Sequence, residues 1–345
     1  MKRPLLSPLV PLYAAGLALR AAGLRHGLET VRRLRWPVIS VGNLSVGGTG
    51  KTPFTIALAK LLVREKFRVD VLSRGYGRKD GQVSRVDAAG SAERFGDEPL
   101  LIANVAGVPV YVGAERWKAG QLAEREMTLQ GQGEGEHPPV HLLDDGFQHR
   151  QLARLVDIVL VNSEDLEDSL LPAGNLREGL EALKRAHVLA VPAGDEKAME
   201  RLQNLGLGPQ LGQTVWRFRR EMVVPQIPET LAVRPVVAFC GIARPEQFFS
   251  GLAQKGIQIA VSHTFPDHHP FTAKDVAMLQ TMVRRSGSGA LVTTAKDLFR
   301  LGNLAVGMDW EEPLFAVDLQ IVLEDKAGIT AWLKHALAQE ANRLP

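Results

Sequence analysis

The sequence predicts an α/β protein, with a mainly parallel sheet covered by helices on both faces and a second, smaller α/β unit after it. Two observations carry this. From Trp36 to about Thr214, short runs rich in Val, Leu and Ile alternate with helical stretches, as parallel strands joined by crossover helices do. Over Trp216-Arg217-Phe218-Arg219 the pattern becomes that of an exposed, alternating strand. Prolines between Pro225 and Pro235 then read as a linker before a new strand–helix series begins at Val236. The expected division is 1–35, 36–214 and 215–345.

The chain begins with an expected amphipathic helix. Leu17, Ala21, Leu24, Leu28 and Val31 fall on one helical face, with Arg20, Arg25, Arg32 and Arg33 largely off it. Pro4, Pro8 and Pro11 argue against a regular helix before that stripe, and Arg20 interrupts the ~20 clean apolar residues that a spanning helix needs. The same features spoil the apolar core of a signal peptide. An interfacial helix with its arginines on lipid phosphates fits, and a helix packed on its own domain is the alternative.

In the first unit, strands are expected at Val38–Val41, Val69–Leu72, Val108–Val112, Val140–Leu143, Val156–Val161 and His187–Val191, with a solvated loop at Leu129–Pro139. In the second they are expected at Val236–Phe239, Ile257–Val261, Ala290–Thr293 and Leu314–Ile321, with a last helix from Lys326. Thr-Ala-Lys-Asp occurs at both Thr272 and Thr294, in different surroundings, and reads as coincidence.

Composition sets the class. The 345 residues suffice for two domains, and 45% hydrophobic with 23% charged residues is ordinary for a soluble α/β chain. The single Cys240 excludes an internal disulfide framework and suits a reducing compartment. The net charge of +3 is unevenly placed: before the first strand Glu29 alone opposes Lys2, Arg3, Arg20, Arg25, Arg32, Arg33 and Arg35. A basic, apolar beginning favours an anionic membrane surface over nucleic acid. No obligate protein partner is inferred.

The chemistry starts after the first strand. Val46-Gly47-Gly48-Thr49-Gly50-Lys51-Thr52 lies between an apolar strand and the helical run from Phe54. Glycines there let backbone N–H groups curl around phosphate oxygens, Lys51 reaches the terminal phosphates, and Thr52 offers a hydroxyl to Mg²⁺. This is the phosphate-binding loop of a P-loop NTPase-like domain, with Ser45 where the pattern has its first glycine. The acidic half of such a site is Asp144-Asp145 at the end of the Val140–Leu143 strand. Loops beyond the other strand ends add Arg74, Arg116 and Arg177 as phosphate-binding candidates. Asp97 is a candidate general base or else an N-cap. In the second unit, Phe265-Pro266-Asp267-His268-His269 offers a histidine that would reach across towards Asp97.

Taken together, Ser45–Pro53, Ser73–Gly77, Gly96–Pro99, Asp144-Asp145-Gly146-Phe147-Gln148-His149, Leu171–Glu178, Phe239–Ala243 and Phe265–His268 resemble the tetraacyldisaccharide 4′-kinases of lipid A biosynthesis, in order over nearly the whole chain. The resemblance implies an ATP- and Mg²⁺-dependent kinase with an acylated glucosamine disaccharide 1-phosphate as acceptor and lipid IVA as product. It also implies a peripheral enzyme at the cytoplasmic face of a bacterial inner membrane. Ser45 matches that family's own loop. The family's base falls on Asp97, aided by His268 or its neighbour His269. Lys51 and Arg177 would then balance charge, and Thr52, Asp144 and Asp145 would organise the metal. Two rivals remain: a P-loop kinase of a soluble acceptor, and a membrane-bound nucleotide hydrolase, although no Asn-Lys-x-Asp sequence specifies guanine.

Overall fold

The computed structural model describes residues 3–129, 139–225, 234–307 and 310–341. The expected loop at Leu129–Pro139 and the expected linker at Pro225–Pro235 lie mostly outside them. Twelve strands form among the described residues: β1 (Val38–Asn43), β2 (Val69–Ser73), β3 (Ser84–Arg85), β4 (Val110–Val112), β5 (Val140–Asp144), β6 (Val156–Leu160), β7 (Val188–Pro192), β8 (Thr214–Val223), β9 (Val236–Cys240), β10 (Ile259–Thr264), β11 (Ala290–Thr294) and β12 (Leu314–Leu323). They make one sheet in the order β10-β9-β11-β12-β8-β7-β6-β1-β5-β2-β4-β3. β1 is parallel to both β5 and β6, and all six of its residues are buried, which is why its sequence does not alternate. Helices Lys51–Arg64 and Asp97–Ala106 supply side chains to the core on one face, and helix Arg116–Leu129 covers the other.

The sheet crosses the expected 214/215 boundary without a break. β8 lies parallel to β7 and antiparallel to β12, while β12 continues parallel to β11. The alternation in β8 therefore marks one buried face rather than an exposed strand: Trp216 and Phe218 point into the core, and Arg217 and Arg219 meet Glu196 and Glu324. The last helix, Lys326–Ala341, packs back on the first unit. Ile329, Leu333 and Leu337 join the core of helix Lys51–Arg64, Trp332 meets Trp216 edge-on at 5.7 Å, and Lys334 pairs with Glu65 at 2.7 Å.

The N-terminal segment differs from its expected shape. A 3₁₀ stretch, Pro4–Leu9, runs directly into an α-helix, Val10–Arg25, because proline is tolerated in the first turn of a helix. The helix stops at Arg25, so Leu28 and Val31 lie beyond it. Tyr13, Leu17, Ala21 and Leu24 are half-buried, whereas Leu5, Leu12 and Leu19 are 93%, 74% and 74% exposed. The stripe read from the sequence thus turns towards the protein, and a second apolar face looks outward. By length and composition Pro4–Arg25 also suffices to cross a membrane.

One buried charge cluster sits at the amino ends of β2 and β5, away from the phosphate loop. His141 Nδ1 lies 2.8 and 2.9 Å from the two oxygens of Asp70, its register partner, and Nε2 faces Glu124 at 3.5 Å. Burial alone would lower the His141 pKa, but Asp70 and Glu124 outweigh it and raise it from 6.5 to about 9. Burial pushes the Asp70 carboxyl up, against the pull of His141. A histidine raised in the folded state stabilises fully below its unfolded pKa and loses that contribution as pH rises through the folded one. The melting temperature is therefore expected to fall between pH 6.5 and about 9. The fall should be shallower in His141→Gln, and equal slopes in the two proteins would assign the loss to other groups.

Candidate active site

The phosphate loop is shaped by what flanks it. Gly47 and Gly50 take φ of 103° and 89°, values open to glycine, and Gly50 caps helix Lys51–Arg64. Ser45 is buried, forms an antiparallel bridge with Leu176, and accepts a hydrogen bond from Asn43 Nδ2 at 3.0 Å. A residue in extended backbone with a use for its hydroxyl need not be glycine, which accounts for the departure at this position. Val46 N donates to Asn175 O at 2.8 Å and Arg177 N to Leu44 O at 2.7 Å. These bonds zip the Leu171–Glu178 loop against the phosphate loop and deliver Arg177 to it.

Asp144 and Asp145 sit opposite Lys51. Asp144, the last residue of β5, is buried and accepts from Thr55 Oγ1 at 3.1 Å. Burial, and then Glu98 and Asp145, raise its pKa to about 7. Burial also acts on Asp145, but Lys51 at 3.6 Å and Arg177 at 2.9 Å more than offset it and hold that carboxyl below its ordinary value. Asp145 has a φ of 48° and His268 one of 60°, and backbone strain of this kind gathers at functional sites. The Asp-Asp-Gly-Phe-Gln-His element is also tied to β1, through Gln148 Nε2 donating to Asn43 O at 2.8 Å.

Positive charge crowds the same strand ends. Burial, then Arg74, lowers the pKa of buried Arg116 to about 10, against the pull of Asp145 and Asp144. Burial followed by Arg116, Arg154, Arg20 and Arg74 drives His149 down to about 3. The buried Arg116 Nε and Thr49 Oγ1 lack a hydrogen-bond partner among the described residues. A bound polyanion would answer both features. No group of three or more His, Cys, Asp or Glu suited to a metal occurs among the described residues. Mg²⁺ does not need such a cage, because it takes one or two carboxylates together with phosphate oxygens and water. The hard-oxygen set of Thr52, Asp144 and Asp145, with the negative charge that Glu98 and Asp145 place around Asp144, suits it.

The second cluster lies at the start of helix Asp97–Ala106. Gly96, at φ 90°, precedes it so closely that an added Cβ would stand 3.2 Å from Gly75 Cα, which packs the Ser73–Gly77 loop against the helix. Asp97 is buried and is not the cap, since the N-cap is Gly96 and makes no side-chain bond. His268 Nδ1 lies 3.3 Å from Asp97 Oδ2. His269 turns away, bonding Asp275 Oδ2 at 3.1 Å and stacking on Phe265. Of the two histidines, His268 is the one beside Asp97. Glu98 links this cluster to Asp144 electrostatically.

Three neighbours were not read from the sequence. Arg300 donates to Asp97 Oδ2 from Nε at 2.8 Å and from Nη2 at 2.5 Å, and Lys296 Nζ is 3.7 Å from Asp97 and 2.9 Å from Glu98. Both stand on helix Ala295–Leu301, four residues apart and so on one face. The signal was the Thr-Ala-Lys-Asp repeat. Each copy starts a helix, with Thr272 and Thr294 accepting from Asp275 N and Asp297 N. The third is Arg220 on β8, whose Nη2 donates to Thr49 O at 2.8 Å and holds the phosphate loop from outside.

Comparison with known proteins gives the family of the chain. The family model for tetraacyldisaccharide-1-P 4′-kinase matches residues 2–338. The chain is 44% identical over 327 residues to the tetraacyldisaccharide 4′-kinase of Koribacter versatilis, covering 93% of this chain and 95% of that one. It is 34% identical to that of Desulfotalea psychrophila, covering 90% of each. Among solved structures it is similar to LpxK from Aquifex aeolicus in complex with ATP, with a TM-score of 0.73 and 33% identity over 96% of this chain and 98% of that one.

Proposed function

Because this chain belongs to the tetraacyldisaccharide 4′-kinase family, we propose that it moves the γ-phosphoryl group of ATP to the 4′-hydroxyl of a tetraacylated glucosamine disaccharide 1-phosphate, giving lipid IVA. The observation that carries the mechanism is the pairing of a phosphate loop facing Asp144 and Asp145 with a separate acid–histidine pair, Asp97 and His268. Lys51 and the loop N–H groups bind the β- and γ-phosphates. Thr52, Asp144 and Asp145 would hold Mg²⁺, which when bound neutralises charge on the phosphates. Arg177 and Arg116 balance charge on the moving group. Asp97 takes the hydroxyl proton, the O–H pair becomes the new O–P bond, and the bridging O–P bond breaks with its electrons leaving on ADP. Helix Ala295–Leu301, reaching from the second unit to Asp97, helps exclude water that would otherwise compete as acceptor.

The enzyme acts as a peripheral protein at the cytoplasmic membrane face. Support comes from the outward leucines of Pro4–Arg25 and from that helix's contacts with the site: Tyr13 Oη donates to Arg177 O at 3.0 Å and Arg20 Nη2 to Gln148 O at 3.2 Å. A helix lying on the surface beside the site would deliver an acylated acceptor directly to it. Arg32 is not part of the lipid-facing charge, since its guanidinium covers the Trp117 ring at 4.2 Å. The test uses Leu12→Glu with Leu19→Glu. The double variant should leave anionic vesicles in flotation and release ADP more slowly with vesicle-embedded acceptor, while using detergent-dispersed acceptor nearly as before. Unchanged flotation would remove the membrane role.

A further inference from the structure

We infer that Arg300 is a positioning residue for phosphoryl transfer, fixing the Asp97 carboxylate by one oxygen and holding His268 beside it. The inference rests on the proposed role of Asp97 as base and concerns how that base is wired.

The contacts all converge on one atom. Arg300 Nε and Nη2, Lys296 Nζ and His268 Nδ1 each approach Asp97 Oδ2, at 2.8, 2.5, 3.7 and 3.3 Å. Oδ1 is thereby left as the oxygen to meet a hydroxyl, and the carboxylate cannot swing to exchange the two. Arg300 Nη2 is also 3.2 Å from His268 Nδ1. Nδ1 thus stands between the guanidinium and Asp97 Oδ2. One planar group therefore ionises and orients the acid while it touches the histidine beside it.

The guanidinium is itself built in. It is 6% exposed, Nη1 donates to Asp297 Oδ1 at 2.9 Å and to Gly241 O, and Asp297 Oδ2 accepts from Gly241 N at 3.0 Å and from the Thr294 hydroxyl at 2.7 Å. The helix cap of the second unit thus anchors the residue that orients the base of the first. A surface ion pair would not be buried at both ends and braced by a second carboxylate.

The electrostatics agree. Burial would raise the Asp97 pKa, but His268, Lys296 and Arg300 together hold it well below the ordinary carboxylate range. The other charges facing this group are Glu98, which pairs with Lys296, and Asp267, 3.9 Å from Arg300 and 4.0 Å from His268. Removing the guanidinium takes away a cation and leaves these acids. Asp97 then takes up a proton at higher pH, and the fraction of ionised base falls in mild acid.

The experiment is the pH dependence of kcat for the full chain, as wild type, Arg300→Gln, Arg300→Lys and Asp97→Asn, with a melting curve for each. Arg300→Gln should lose roughly 10- to 100-fold in kcat, a part of the 10²–10⁴-fold typical of a base. The KM for ATP should stay within about twofold, and the acid limb of the kcat profile should move upward. Arg300→Lys keeps the charge without the fork, so it should restore the acid limb but only part of the rate. A lower kcat with an unmoved pH profile, or wild-type kinetics in Arg300→Gln, would overturn the inference. If Arg300→Gln does not fold, Arg300→Lys decides alone: full wild-type kcat in it refutes the positioning role. Asp97→Asn near wild-type rate would instead sink the base assignment, so the two failures are distinguishable.

Discussion

Lys51→Ala is expected to lower phosphoryl transfer by roughly 10³-fold, the upper end for loss of one donor that stabilises transition-state charge. The fold should survive. Lys51 contacts Asp145 at 3.6 Å, and Asp145 keeps its shorter pair with Arg177 at 2.9 Å when the ammonium is gone. A long pair beside a retained short one contributes within about 1 kcal/mol to stability. Acceptor-dependent ADP release beside a melting curve checks both halves. A normal rate would dissociate this loop from the reaction, and a collapsed melting temperature would make the rate uninformative about chemistry.

Asp97→Asn should cost about 10²–10⁴-fold in kcat with little change in the KM for ATP, since the amide keeps the shape and loses the basic oxygen. The helix start should hold, because Asp97 is not its cap and Arg300 keeps Asp297 at 2.9 Å. His268→Ala should also be slow. The double variant should fall short of the product of the two losses, as residues acting as a unit do. Fully multiplicative losses would separate His268 from Asp97 despite their 3.3 Å contact.

The sequence was most legible where chemistry and local backbone coincide. A strand, glycines with positive φ, Lys51-Thr52 and a helix follow each other within a few residues, so the phosphate loop needed no tertiary information. The strand-end aspartates were readable because β5 is a continuous apolar run that stops at Asp144. Legibility ended where two distant segments meet. Arg300 and Asp97 are 203 positions apart, and neither carries a local mark of the other. The Thr-Ala-Lys-Asp repeat reads as coincidence because identical letters have different neighbours; in space both are helix caps, and one of them also sets Lys296 and Arg300 on the site. The 214/215 boundary reads as a change of texture before the prolines that follow β8, yet the β7–β8 ladder runs across it and Trp216, Ile329 and Leu333 pack into the core of the first unit. The N-terminal stripe was sound as a helix face up to Leu24. Which face meets protein and which meets solvent depends on the half-buried Tyr13 and the exposed Leu12 and Leu19, and apolar letters on both sides do not record that.

The most direct measurement follows the phosphoryl group itself. The enzyme is incubated with ATP labelled at the γ-phosphate, Mg²⁺ and an acylated glucosamine disaccharide 1-phosphate, and the lipid is extracted and hydrolysed to locate the label. The account predicts label in the extracted lipid at the 4′ position, in step with ADP release, and near background with Lys51→Ala or Asp97→Asn. Release of labelled inorganic phosphate at the same rate with or without acceptor, and none in the lipid, would contradict it and make the protein a nucleotide hydrolase.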